Sequence, residues 1–266
     1  MCRLLGVVSS ETTHFGLTLH EAPRSLAMLS AEHPHGWGLA VHRRETGWDV
    51  HKHAVRAGDC PHFRALAASA RGEVLVAHIR KRTVGPVGRE NTHPFRRGRW
   101  VFAHNGTIED IGWFAARASA ERLREVEGET DSERFFAFLL TALDEAGDDR
   151  ARVDAALARR VDQALAHPGL GAANFLLSDG ASLWAFRAGR TLHVLTRLPG
   201  DEVVPSRRSH ETDAELLTPW SPQRHAVLIA SEHLTDEPWG EVAEGTLLRV
   251  DAGPAPEPRV VRSPRG

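Results

Sequence analysis

The sequence predicts an α+β layered architecture in one domain, because strands at both ends of the chain flank a central helical stretch. Three observations carry that class. Short apolar or β-branched runs recur from Leu4 to Val250, two segments between residues 130 and 166 have helical spacing, and the two kinds of element do not alternate regularly as in an α/β fold. No linker divides the 266 residues.

Leu4 to Val8 reads as a buried strand ending in Ser9-Ser10, and Trp37 to Val41 as another after a Pro-His-Gly turn. A third spans Trp48 to His53. Val74 to Ile79 and Trp100 to Ala103 follow, the latter stopped by Asn105-Gly106, a turn signal. Arg80 to Arg99 is rich in Gly, Pro, Arg and Thr without hydrophobic period, which predicts a long irregular connection of the kind that often carries function. A helix opens at Thr130-Asp131-Ser132-Glu133, a capping box with Thr130 as N-cap and Glu133 reaching back to it. Phe135, Phe136, Leu139, Leu140 and Leu143 form its core face and Gly147 closes it. A second helix runs from about Arg152 to Ala166, with Val153, Leu157, Val161 and Leu165 inward. Beyond Gly171, Asn174 to Leu177, Leu183 to Arg187 and Thr191 to Thr196 read as a meander, followed by strands at Ala226 to Ala230 and Thr246 to Val250. The Pro/Arg-rich end of the chain reads as a mobile tail.

Composition excludes several classes. With 33 basic against 35 acidic residues and a net charge of -2, no global field draws in nucleic acid or a membrane surface. No apolar run is long enough for a membrane span. The first residues lack the layout of a secretion signal, so a cytoplasmic, reducing location is expected. The two cysteines, Cys2 and Cys60, are then not expected to pair. His33-Pro34-His35 and His51-Lys52-His53 have no completing carboxylate or cysteine cluster, so no metal site is assigned, and no cofactor pattern is present.

Cys2 is the pivotal residue. Removal of Met1 leaves a thiol nucleophile and a free α-amine, with an ordinary pKa near ~8, on one residue. Taken alone, Cys2 reads better as a small hydrophobe opening a buried strand. Asn105 and Gly106 supply a side-chain amide and a backbone N–H of the kind that stabilises a tetrahedral oxyanion, or simply a turn. Arg80 suits a carboxylate and Asp131 an ammonium group; the alternatives are a solvated charge and a helix N-terminal anion.

Six motifs, in this order, resemble those of the class II glutamine amidotransferases. They are Met-Cys-Arg-Leu-Leu-Gly, Gly36-Trp37-Gly38, Ala-His-Ile-Arg at 77–80, Asn-Thr-His-Pro-Phe at 91–95, Ala-His-Asn-Gly at 103–106 and Gly-Glu-Thr-Asp-Ser-Glu at 128–133. The likeness is greatest to the stand-alone YafJ-like bacterial members. It implies a four-layer αββα sandwich of the N-terminal-nucleophile hydrolase type, with residues 2–252 as the amidotransferase domain and 253–266 as the tail. It further implies Cys2, Asn105 and Gly106 as catalytic residues, and Arg80, Asp131, Thr83 and Trp37 as substrate-binding ones. The implied substrate is glutamine or a larger γ-glutamyl amide, as in the similar ergothioneine-pathway hydrolases, with an ammonia-accepting enzyme as partner; a silent binding module is the rival. The chain departs from the related patterns at His35, where YafJ-like members often carry aspartate, and at Lys81-Arg82-Thr83-Val84. A second, synthase domain is not expected within these 266 residues.

Overall fold

The computed structural model describes residues 2–22, 24–201 and 224–264. The early strands are β1 (Arg3–His14), β2 (Trp37–Arg43), β3 (Gly47–His53), β4 (Arg71–Ile79), β5 (Phe95–Arg97) and β6 (Trp100–Thr107). The later ones are β7 (Ala172–Ser178), β8 (Ser182–Phe186), β9 (His193–Arg197), β10 (Ala226–Ala230), β11 (Gly240–Glu241), β12 (Leu247–Asp251) and β13 (Pro258–Arg262). The helices are α1 (Leu26–Leu29), α2 (Pro61–Ser69), α3 (Ile111–Ala115), α4 (Ala120–Arg124), α5 (Asp131–Ala146) and α6 (Arg150–Ala166).

Among the described residues the strands form two antiparallel sheets, ordered β11-β9-β10-β1-β4-β2-β3 and β13-β12-β8-β7-β6-β5. Period-2 alternation assigns every strand residue to a layer. On the seven-stranded sheet Leu4, Val8, Val74 and Val76 face inward and meet Val101, Ala103 and Leu176 of the other sheet. Their neighbours Leu5, Val7, Leu75 and Ala77 face outward onto Leu26, Phe63 and Ala67 of α1 and α2. On the six-stranded sheet Phe102, Phe175 and Leu177 pack outward on Phe135, Phe136 and Leu139 of α5 and Leu157 and Val161 of α6. The result is the expected αββα order, and inward Gly6 marks how close the sheets come: a Cβ there would lie 2.7 Å from Leu183.

Several local readings give way to tertiary pairing. Asn105-Gly106 does not end a strand, because β6 continues through both residues, pairing Asn105 with Asn174 and Gly106 with Ala173. Glycine is needed here for close approach rather than for a turn, since a Cβ on it would fall 1.7 Å from the Ala172 carbonyl oxygen. β1 runs past Ser9-Ser10 to His14 through a register shift between Val8 and Thr13. The irregular connection after Arg80 gives way to β5 at Phe95. The meander is also overturned: β7 and β8 form a hairpin, but β9 joins the other sheet beside β10. Asn174 pins that crossover by donating to the carbonyls of Arg190 and Thr191 and accepting from the Ala188 N–H. The stretch read as a mobile tail contributes β13, paired to β12 and tied by Arg262 to Asp162 at 2.8 Å; residues 265 and 266 lie outside the described residues.

The capping box is half present. Thr130 accepts from the Glu133 N–H at 3.4 Å, but the Glu133 carboxylate turns away to accept from the Glu127 and Gly128 amides and from Arg97 at 2.7 Å. The Glu133 side chain is 2% exposed, so its charge depends on those donors. Arg97→Ala is therefore expected to cost about 3–5 kcal/mol, by leaving a buried carboxylate short of its cation, read as a lower urea midpoint at unchanged slope.

Candidate active site

β1 brings its first residues between two neighbours. Arg3 registers with Ile79 on β4 and Leu5 with Ala230 on β10, so Cys2 falls beside Arg80 at the strand end. The Leu4 N–H donates to the Ser231 hydroxyl at 2.9 Å and the Arg3 guanidinium pairs with Glu232. The Cys2 sulfur lies 3.3 Å from the Lys81 amide nitrogen and 3.4 Å from the Lys81 carbonyl oxygen, accepting from the N–H and donating to the carbonyl. Burial pushes the Cys2 thiol above its ordinary value, while the Lys81 amide and the charge of Arg80 act against that rise. A resting thiol of this kind needs a base to become a nucleophile.

The sulfur opens on a small cleft that is partly open to solvent. One wall is Cys2, Arg80, Lys81, Thr83 and Val84; the other is His93, His104, Gly106, Thr130, Asp131 and Ser132. The first wall belongs to the seven-stranded sheet and its following loop, the second largely to β6 and the start of α5.

Arg80 is 3% exposed and holds the loop that follows it, donating to the Val84 carbonyl at 2.8 Å and the Pro86 carbonyl at 2.9 Å. Its backbone is fixed by the Arg80 N–H to Gly36 carbonyl bond, and His35 both donates its N–H to the Arg80 carbonyl and accepts on its ring from the Arg82 N–H. His35 is thus an anchor of the loop. Asp131 accepts from the Ile108 N–H at 2.7 Å and the Ser132 N–H at 2.9 Å, which fixes its carboxylate at the mouth of α5. Asn105 stands outside the cleft lining, 4% exposed, with Nδ2 giving one hydrogen to Ser231 at 3.4 Å; the same amide carries a second hydrogen.

Five of the seven residues singled out in the sequence therefore meet at one cleft: Cys2, Arg80, Thr83, Gly106 and Asp131. Trp37 is a correction. Its indole is fully buried in the core behind the seven-stranded sheet, stacked on His53 at 5.1 Å and edge-on to Phe63 at 5.0 Å, so it packs the fold and does not line the cleft. Three lining residues escaped sequence reading although they sit inside the quoted motifs: His93, His104 and Ser132. Cys60 is buried in the outer core of the same sheet. Among the described residues no group of three or more His, Cys, Asp or Glu side chains is placed to hold a metal ion, and no helix is long and apolar enough to cross a membrane.

Comparison with known proteins gives a consistent family. The model of the glutamine amidotransferases class-II matches residues 1–264. YafJ of Escherichia coli K12 is 28% identical, covering 92% of this chain and 95% of its own. The gamma-glutamyl-hercynylcysteine sulfoxide hydrolase of Mycobacterium tuberculosis H37Rv is also 28% identical, over 88% of this chain and 95% of its own. The crystal structure of a predicted glutamine amidotransferase from Pseudomonas aeruginosa PA01 superposes with a TM-score of 0.62 at 24% identity, covering 98% and 99% of the two chains.

Proposed function

The chain belongs to the class II glutamine amidotransferases, and from that premise we propose that it cleaves the γ-amide of glutamine, or of a larger γ-glutamyl compound, through a thioester on Cys2. The observation that carries this reading is the shared cleft of Cys2, Gly106, Arg80 and Asp131. With Met1 removed, the α-amine of Cys2 takes the thiol proton and the sulfur attacks the γ-carbonyl carbon. The Gly106 N–H and the second hydrogen of the Asn105 amide stabilise the oxyanion. Collapse of the intermediate breaks the C–N bond, and the amine returns its proton to the departing ammonia. Water then attacks the thioester carbonyl, the C–S bond breaks, and glutamate leaves with the thiol restored.

Arg80 has five N–H donors, of which the loop carbonyls engage only some; the remainder suit the α-carboxylate, with Thr83 beside it. Asp131 meets the α-ammonium. Plain hydrolysis is the minimal reaction of this domain, with an ammonia-accepting enzyme as a partner and the cytoplasm as the compartment. The M. tuberculosis relative, named for a γ-glutamyl substrate, favours keeping a γ-glutamyl amide beside glutamine itself.

One experiment separates this reading from a silent binding module. A glutamine analogue with an electrophilic ketone carbon is expected to add once, on Cys2 and not on buried Cys60, and to be blocked by excess glutamine. The intact mass of the same sample is expected to lack Met1, which lies outside the described residues. A retained Met1 and an unlabelled Cys2 would favour the silent module.

A further inference from the structure

We propose that His93 is a specificity-determining residue of the cleft: its imidazole accepts a hydrogen bond from the α-ammonium of the substrate, beside Asp131, and so selects amides that carry that amine. The proposal takes the amidohydrolase reading above as its premise and adds to it a residue with no other evident work.

His93 lines the cleft, is 4% exposed, and has both ring nitrogens buried without a hydrogen-bond partner. Folded chains keep few such groups, since each costs about 1–3 kcal/mol. The ring is not free to turn elsewhere. It lies 4.3 Å from the His78 ring and 4.5 Å from the Phe95 ring, centroid to centroid, and its own carbonyl packs so tightly on Gly38 that a Cβ there would come within 2.0 Å.

The other imidazole on this wall is already committed. His104 Nε2 faces the Ala172 carbonyl at 3.2 Å and must donate to it, which leaves Nδ1 to accept from the Ser132 hydroxyl at 2.8 Å. An ammonium group brings three N–H donors, and Asp131, with both oxygens partly engaged by the Ile108 and Ser132 amides, does not by itself meet all three. His93 is a lining side chain whose acceptor nitrogen has no partner. Its protonation is opposed first by burial and then by His78, His104, Lys52 and Arg80, so it faces the ammonium as a lone pair and not as a second cation. A neutral acceptor in the cleft that Asp131 also lines satisfies a cation without adding a second carboxylate.

The test compares glutamine with glutaramate, which keeps the γ-amide and the carboxylate but lacks the α-amine. In His93→Leu the kcat/KM for glutamine is expected to fall about tenfold through KM, with glutaramate unchanged, so that the ratio between the two substrates drops by the same factor. His93→Gln, which keeps an acceptor, is expected to recover most of that ratio. Should His93→Leu fail to fold, His93→Met fills the space without a strong acceptor and carries the same comparison. Equal loss on both substrates, or an unchanged ratio, overturns the proposal and leaves the amidohydrolase reading intact. Wild-type protein that cleaves neither substrate nor any γ-glutamyl amide overturns that reading, and the proposal with it.

Discussion

Cys2→Ala, purified in folded form, is expected to release ammonia from glutamine roughly four to six orders of magnitude more slowly than the wild type, because no other group in the cleft can form the thioester. Of the remaining lining residues, Thr83, Thr130 and Ser132 carry only hydroxyls, and the Ser132 oxygen is already committed to His104 and the Asp131 region. Stability should hardly change. The hydrogen bonds of the sulfur are two long ones to the backbone of Lys81, and the strand end is fixed by Leu4, Ser231, Arg3 and Glu232 without it. The pair of measurements is ammonia release and the thermal midpoint. A folded variant working at the wild-type rate would remove the covalent mechanism altogether.

The second large effect is expected at Gly106→Ala. The added methyl would lie 1.7 Å from the Ala172 carbonyl oxygen and 2.4 Å from its carbon, atoms of the paired strand that cannot swing aside as a side chain can. β6 and β7 must part locally, at a cost of about 1–3 kcal/mol. On the proposed mechanism the same displacement moves the Gly106 N–H away from the oxyanion, and a loss of roughly 10²–10³ in kcat is expected. Gly253→Ala is the control, since a Cβ there meets nothing within 4 Å, and it should change neither quantity. Unfolding curves and steady-state kinetics on both variants decide the matter. Full activity in a stable Gly106→Ala protein would take Gly106 out of the chemistry.

What was legible in the sequence was whatever local periodicity and order along the chain encode. The apolar runs Leu4 to Val8 and Val74 to Ile79 report strands with two buried faces, and the Phe135 to Leu143 spacing reports the stripe of α5, because each pattern follows from one element's own geometry. The family resemblance carried by the motifs singled out Cys2, Arg80, Gly106 and Asp131, and these residues line one cleft. Asn105-Gly106 misled because a turn signal states a preference of the isolated chain, and the six-stranded sheet outweighs it by pairing both residues. The partner of β9 was invisible for a different reason: which sheet a strand joins is decided by Asn174 holding the crossover, a contact 16 and 17 residues away. Short α1 and α2 carry too little periodic signal to stand out and are held by packing on the seven-stranded sheet. Trp37 sits in a motif next to two glycines, which gives no hint of which way its side chain points. His93 escaped because its interest lies in burial without a partner, a property of the assembled walls.

The cleft takes Cys2 from the end of β1 and Gly106 and Asp131 from β6 and α5, so it straddles the boundary between the two sheets. Its dimensions are set by how Leu4, Val101 and Leu176 interdigitate several residues away, much as the gap of a caliper is set by its hinge. Reactivity in this molecule is in that sense a reading of its interior, and sequence drift among those apolar side chains can retune the enzyme while every residue at the reacting centre stays the same.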